Sequence, residues 1–364
     1  MSQPLQSHAF RPAMDLLSML LLSPVDHRLE VVGRLQALRQ DEFDSLVALS
    51  HSNHVVVRGF EVYRDLMLGV GDAEKASKAE EIIRAEEQRI SAAVEHLGLI
   101  CSAFADAGLD LTVIKTLDHW PDFGSDIDLY TNADPVAVCA LMKKQFNAEI
   151  AVRSWGDRLA GKWNFELPGL SEAVEIHMRR LGQTGEQLAL AQTVPSRSRI
   201  LSFGRFQFPV SSASDRIMIS TLQRMYRHFY FRLCDILDSA SLVNSGALDW
   251  NDLERSAKLS GIWEGTATYL VLVSDYVQKY SGSALELPAS VRQTARFDGK
   301  VMYCGGKFLR VPIMPQAAGL YRSQLIGSMR RGEVQASARL GILPWLATAA
   351  AIGQKITGSD KGIW

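Results

Sequence analysis

The hydrophobic pattern of this chain changes period twice, and that change limits the folds open to it. From Ala73 to Ala107 apolar residues recur at helical steps, with Ile90, Ala93, Val94, Leu97, Ile100, Cys101 and Phe104 on one face. Gly108 stands where a C-cap glycine ends a helix, and the charged run Glu80–Arg89 reads as its water-facing part. Short β-type runs follow: Leu109–Ile114, Ile127–Tyr130, Glu149–Arg153, Trp163–Leu167 and Ala173–Met178. Among them, Asp134 is placed to cap a helix from Pro135, the favoured first helical position, to Phe146. From Ser214 the helical period returns. Leu222, Met225, Tyr226, Phe229, Leu233, Ile236 and Leu237 form one stripe, and further helices are expected over Asp249–Leu259 and Trp263–Tyr280.

This order predicts an α/β chain of the α+β kind. A helical region over 1–75 precedes a core over 76–210, in which a small mixed sheet carries flanking helices. A helical domain over 211–285 and a basic segment over 286–364 complete it, the last with short β-like runs at Lys300–Val311 and a final apolar helix. The chain's net charge of -1 points to no polyanionic partner, but from Val291 onward eleven Lys/Arg face three Asp/Glu. A basic tail on an acidic body suits an acidic substrate, an anionic membrane surface or simple solvation. Cys101, Cys139, Cys234 and Cys304 lie far apart with no metal-ligand spacing, as reduced structural thiols do. The apolar run Met14–Leu22 is interrupted by Asp15 and lacks a basic leader, so no signal peptide is read. Gly341–Gly353 is too short for a membrane span and contains Pro344. A cytoplasmic protein without integral membrane insertion is expected.

The residues that carry chemistry centre on Gly124-Ser125-Asp126-Ile127-Asp128-Leu129. Residues two apart on a strand share a face, so Asp126 and Asp128 project together while Ile127 and Leu129 enter the core. Two carboxylates so close repel, and a hard divalent cation removes the conflict; Mg²⁺ favours one or two carboxylates with phosphate oxygens and water.

Val113-Ile-Lys-Thr116 followed nine positions after Thr116 by Ser125-Asp-Ile-Asp-Leu129 resembles the signature of the polymerase-β-like nucleotidyltransferases. Val174-Glu175-Ile176-His177 supplies the third carboxylate that this superfamily takes from a later strand. Val174–Arg179, Arg232-Leu-Cys-Asp235 and Asp249-Trp250 further resemble a bacterial branch known only as uncharacterised nucleotidyltransferases. The resemblance covers about residues 75–280. It implies a nucleotidyltransferase core over 76–210, with Asp126, Asp128 and Glu175 catalytic and metal-binding. Two Mg²⁺ ions, or Mn²⁺, would orient a nucleoside triphosphate. A nucleoside monophosphate would pass to the hydroxyl of a small molecule, a protein side chain or an RNA end. Gly124, Ser125 and the backbone at Thr116 would meet phosphate. The superfamily has glycine in its first turn, and here Lys115-Thr116 stands instead, with Lys115 a candidate phosphate contact.

On a single helix from Asp215, Arg224, His228, Arg232 and Asp235 would form a polar stripe opposite the apolar one, either lining the cleft or facing water. His177 is a candidate orienting residue, Trp120 and Trp155 are candidates for stacking on a base, and His8, His27, His51 and His54 form no ligand pattern with carboxylates. Two other readings stay open: a non-catalytic nucleotide- or partner-binding module on the same fold, and a peripheral membrane protein acting on a lipid-linked acceptor.

Overall fold

The computed structural model describes residues 10–24 and 29–357. Among the described residues, five helices lead in: α1 (Arg11–Leu22), α2 (Leu29–Gln36), α3 (Gln40–Asn53), α4 (Val56–Gly69) and α5 (Ala73–Asp106). The middle of the chain contributes β1 (Thr112–Val113), β2 (Asp126–Thr131), α6 (Pro135–Phe146), β3 (Glu149–Ile150), α7 (Trp155–Ala160), β4 (Lys162–Glu166) and β5 (Ala173–Met178). Then come α8 (Leu188–Thr193) and a hairpin of β6 (Arg199–Phe203) and β7 (Phe206–Val210). α9 (Ala213–Thr221) continues as π-helical turns over Leu222–His228, followed by β8 (Tyr230–Phe231), α10 (Leu233–Asn244), α11 (Trp250–Leu259) and α12 (Trp263–Ser281). The C-terminal part holds α13 (Ala289–Thr294), β9 (Tyr303–Gly305), β10 (Phe308–Arg310), α14 (Ala318–Arg330) and α15 (Val334–Thr357).

Seven strands form one mixed sheet in the order β3-β4-β5-β2-β1-β7-β6. Its centre is the parallel pair β2–β5; β1 runs antiparallel to β2 and parallel to β7. The alternation read from the sequence holds here. Ile127, Leu129, Val174 and Ile176 are fully buried on one face, which leaves Asp126, Asp128 and Glu175 on the other. Helix α6 has the predicted ends, with the Asp134 carboxylate accepting from Val136 N–H at 2.9 Å and Asn147 closing it in the left-handed region. The buried apolar residues form one contiguous cluster from Met14 to Leu320, shared by the N-terminal helices, the sheet and the later helices. Among the described residues no helix is long and apolar enough to cross a membrane.

Three departures from the sequence reading bear on the architecture around the sheet. The run Glu80–Arg89 does not simply face water: Glu86 is buried and paired with Arg89 at 2.6 Å. The hairpin β6–β7 extends the sheet by two strands that the sequence pattern did not announce. The expected single helix after Asp215 is broken. Phe229 takes φ 54°, the next residues form β8, and β8 pairs with β10 through Phe231↔Leu309 and Tyr230↔Arg310. The basic C-terminal segment thus supplies two strands of a second sheet, ordered β8-β10-β9.

One packing contact gives a sharp test. Gly98 in the interior of α5 faces the Phe206 ring, and a Cβ there would lie 2.3 Å from Phe206 Cε1. In an open helix Gly→Ala stabilises by about 1 kcal/mol. Here the overlap reverses the sign, and Gly98→Ala is expected to lower stability by about 1–3 kcal/mol in urea unfolding. An unchanged or raised midpoint would mean that the hairpin does not pack against α5 as described.

Candidate active site

The site is built on the register of two strands. Asp128 pairs directly with Glu175 across the parallel β2–β5 ladder, and Asp126 lies two residues earlier on the same face. They line a cavity of about 200 Å³ together with Lys115, Thr116, Gly124, Ser125, Lys162, Arg224, Arg227, His228 and Arg232, among others. Every residue singled out above as a metal or phosphate contact therefore borders one cavity. Larger cavities lie elsewhere, one of about 420 Å³ beside Glu186 and Arg331 and one of about 550 Å³ between Trp120 and Phe206. Neither brings three carboxylates opposite a row of cations.

The carboxylates have different surroundings. Lys115 Nζ lies 2.5 Å from Asp128 Oδ1 and 4.0 Å from Glu175 Oε1. Lys162 Nζ lies 2.5 Å from Glu175 Oε2, and His177 Nε2 is 2.8 Å from Glu175 Oε1. Burial pushes the Asp128 carboxyl up to about 7, with the Glu175 charge adding to it against the pull of Lys115. The same burial acts on Glu175, but His177, Lys115 and Lys162 outweigh it and hold that carboxyl well below the usual range. Burial and the Glu175 charge also push Asp126 up. The Asp126 carboxylate makes no hydrogen bond or ion pair with the described residues.

Lys115 and Thr116 are set by an unusual turn. Lys115 sits at φ 63°, ψ -49°, and Thr116 N–H donates to Ile114 O at 2.7 Å, which closes a γ-turn that is strained for a residue with a Cβ. Ile114 O is thereby used by the turn. Asp128 N–H instead donates to Thr116 Oγ1 at 2.6 Å, so the threonine hydroxyl takes the place of a ladder carbonyl beside the carboxylates. The residue with positive φ is thus Lys115, while position 116 needs an acceptor that glycine lacks.

The turn at Gly124 is held by a residue that the sequence reading left in solvent. Arg89 donates to Phe123 O and Gly124 O at 3.3 Å each while it pairs with Glu86 and Glu172. Lys162 and Arg227 were also missed. For Lys162 the signal existed: Lys162-Trp163-Asn164-Phe165 alternates, and the register Lys162↔His177, Asn164↔Glu175 puts its polar members on the carboxylate face. Arg227 falls off the stripe expected of a straight helix and reaches the cavity through the π-helical turns.

The far wall differs in charge from the expectation. Arg224 is 2% exposed, and its Nε lies 2.7 Å from Asp235 Oδ2, although the N–H does not point straight at that oxygen. It is therefore no solvated face: it pairs with Asp235, borders the cavity and keeps a buried Nη1 without a hydrogen-bond partner. Arg232 instead enters from the N-cap of α10, with its guanidinium 5.9 Å from the Phe308 ring and its Nε buried without a hydrogen-bond partner. His228 is kept neutral by burial and by the arginines around it. Trp120 packs against Phe203, Trp155 is exposed, and neither borders the cavity. His54 also borders the cavity, grouped with His119 and Cys234 and with no carboxylate, and His8 and His27 lie outside the described residues.

The donor set suits a hard cation: three carboxylates on one face, of which Asp126 feels Lys115, Lys162 and Arg232 only at a distance. Asp128, Glu175 and His177 each offer a ligand atom within 4.8 Å of the others, a set that includes His177 where the sequence reading had Asp126. No known protein family matches the chain, and no curated protein matches it at a significant level.

The account of Thr116 is directly testable. Thr116→Val keeps the shape but removes the acceptor for Asp128 N–H, and is expected to cost about 1–3 kcal/mol, the penalty of a buried donor left unpaired. Thr116→Ser should retain most of that stability. Equal unfolding midpoints for the valine and serine variants would refute the role of the hydroxyl.

Proposed function

We propose that the cavity binds the phosphate end of a nucleoside triphosphate together with Mg²⁺, or Mn²⁺, and that the chain transfers a nucleoside monophosphate to an acceptor hydroxyl. This reading takes up the resemblance to the polymerase-β-like nucleotidyltransferases. The observation that carries it is the convergence of Asp126, Asp128 and Glu175 on one face of β2 and β5, opposite Arg227, His228 and Arg232. Carboxylates alone would repel a triphosphate, and arginines alone would bind any anion. Both walls together suit an anion that arrives with its own cations.

Asp126, Asp128 and Glu175 would hold the metal, with His177 orienting Glu175 from 2.8 Å. Bound divalent cations supply neutralisation of the phosphates and stabilisation of the attacking and leaving oxygens in an in-line displacement. Lys115 and Lys162 neutralise Asp128 and Glu175 in their absence. With a metal on the carboxylates, both ammonium groups would be free to turn to phosphate oxygens. Arg232 would cover the phosphate oxygens on the opposite side, and Arg89 would keep the Gly124–Ser125 turn in place. A cavity of about 200 Å³ is smaller than the ~300–1,000 Å³ typical of sites that enclose a small molecule. It suits phosphates and cations, with the nucleoside extending outwards.

The two lysines also favour a second reading, a non-catalytic module in which ammonium groups stand permanently in place of metal. Thermal shifts with ATP, GTP, CTP and UTP, each with and without Mg²⁺, separate the two. The enzyme reading predicts a Mg²⁺-dependent shift for at least one nucleotide, abolished in Asp126→Asn. Arg232→Ala is expected to weaken that binding by about 1.5–3 kcal/mol, the value of a hydrogen bond to a charged group, with an unchanged melting profile in the absence of ligand. A shift independent of Mg²⁺, or no shift with any nucleotide, would contradict the enzyme reading and favour the nucleotide- or partner-binding module.

A further inference from the structure

The geometry points to a second metal site, for Zn²⁺ or a similarly borderline-soft divalent cation, formed by His54, His119 and Cys234 at the edge of the same cavity. Three segments remote in sequence meet there: the C-cap of α3, the 3₁₀ turn over Thr116–His119, and the first turn of α10. Each residue offers one ligand atom, and these atoms all lie within 4.8 Å of one another. His119 Nε2 is 3.9 Å from Cys234 Sγ, and the two imidazole rings stand 5.7 Å apart at 73°. Two imidazoles and a thiol are a donor set that Zn²⁺ prefers and Mg²⁺ does not.

Two further observations point to a ligand. His54 is 8% exposed, and its Nδ1 is buried with no hydrogen-bond partner, an arrangement that is costly for an imidazole unless something binds there. His119 turns its Nδ1 to Asp238 Oδ2 at 2.5 Å, so that Nε2 is the nitrogen presented to Cys234. A carboxylate behind a histidine, fixing which nitrogen faces inward, is the usual support of a zinc-bound imidazole. Asp238 is itself held by Arg58 Nη1 at 2.8 Å, and Arg58 Nε by Asp122 at 2.7 Å. The support therefore has a rigid backing.

A Cys–His–Asp hydrolytic arrangement would use the same three groups Cys234, His119 and Asp238, but Cys234 is fully buried and closed to any acceptor. A metal needs no such access. His54 and His119 both border the cavity, so the remaining coordination position would face it. The site stands on residues other than Asp126, Asp128 and Glu175, and it does not depend on the nucleotide reading.

The test is titration of Co²⁺ into the chelator-stripped full chain. The expected result is a thiolate-to-cobalt charge-transfer absorption, which only a cysteine ligand produces, that saturates at one equivalent, and displacement of that absorption by Zn²⁺. The carboxylate site would give no such band. Cys234→Ser should abolish the band and Cys101→Ser should leave it intact. Asp238→Asn should lower the affinity about 10–100-fold, as loss of an orienting carboxylate does. Absence of the band in the folded wild-type chain overturns the proposal without recourse to any variant. So does a band that survives in Cys234→Ser. If Cys234→Ser fails to fold, His54→Gln serves in its place: a band of unchanged strength and affinity there would equally overturn the site.

Discussion

Everything around the cavity follows from one pairing: Asp128 beside Glu175 in register across two parallel strands at the centre of the sheet. A sheet centre is a place for apolar side chains, and these two carboxylates, with Asp126 next to them, occupy one face of it. Each ion must then be met by a cation or stay protonated. Lys115 and Lys162 meet Asp128 and Glu175, His177 adds a hydrogen-bonding contact to Glu175, Asp126 feels cations only at a distance, and the carboxyl of Asp128 is pushed up to about 7. Such a centre is a liability for folding.

The surrounding loops are fixed by polar contacts more than by apolar packing. The γ-turn at Lys115 aims its ammonium at Asp128, and the Thr116 hydroxyl closes the ladder that this turn leaves open. Arg89 from α5 holds the Gly124 turn, and Asp122 receives Val57 N–H and Arg58 from the start of α4. The N-terminal helices thus do more than cover the sheet. They position the loop that carries His119 and the turn that precedes Asp126. From the other side, β10 in the basic segment pairs with β8 and sets Phe308 against Tyr230, with ring centroids 4.3 Å apart, beside Arg232.

What the sequence disclosed was local and periodic. Asp126-Ile127-Asp128-Leu129 and Val174-Glu175-Ile176 declare a two-residue alternation, and that alternation alone puts the acids on one face and the aliphatics on the other. Asp134-Pro135 marks the start of α6 because both residues act within one turn. What stayed hidden depended on partners far along the chain. Leu222 to Leu237 keeps a helical stripe, yet the chain breaks at Phe229 because β8 finds β10 downstream. Arg89 looks like any charged helix residue until Glu172 and the Gly124 carbonyl are brought to it. His54, His119 and Cys234 share no spacing at all, since only the fold assembles them.

The central claim is that Asp126, Asp128 and Glu175 form a metal-dependent phosphate site, and anomalous diffraction tests it most directly. Crystals of the full chain would be grown with Mn²⁺ and a non-hydrolysable nucleoside triphosphate analogue. An anomalous peak among the three carboxylates is expected, with phosphate density between it and Arg232 and with Lys115 and Lys162 turned from the carboxylates to the phosphate oxygens. No peak, with Lys115 still on Asp128 and Lys162 still on Glu175, would contradict the account.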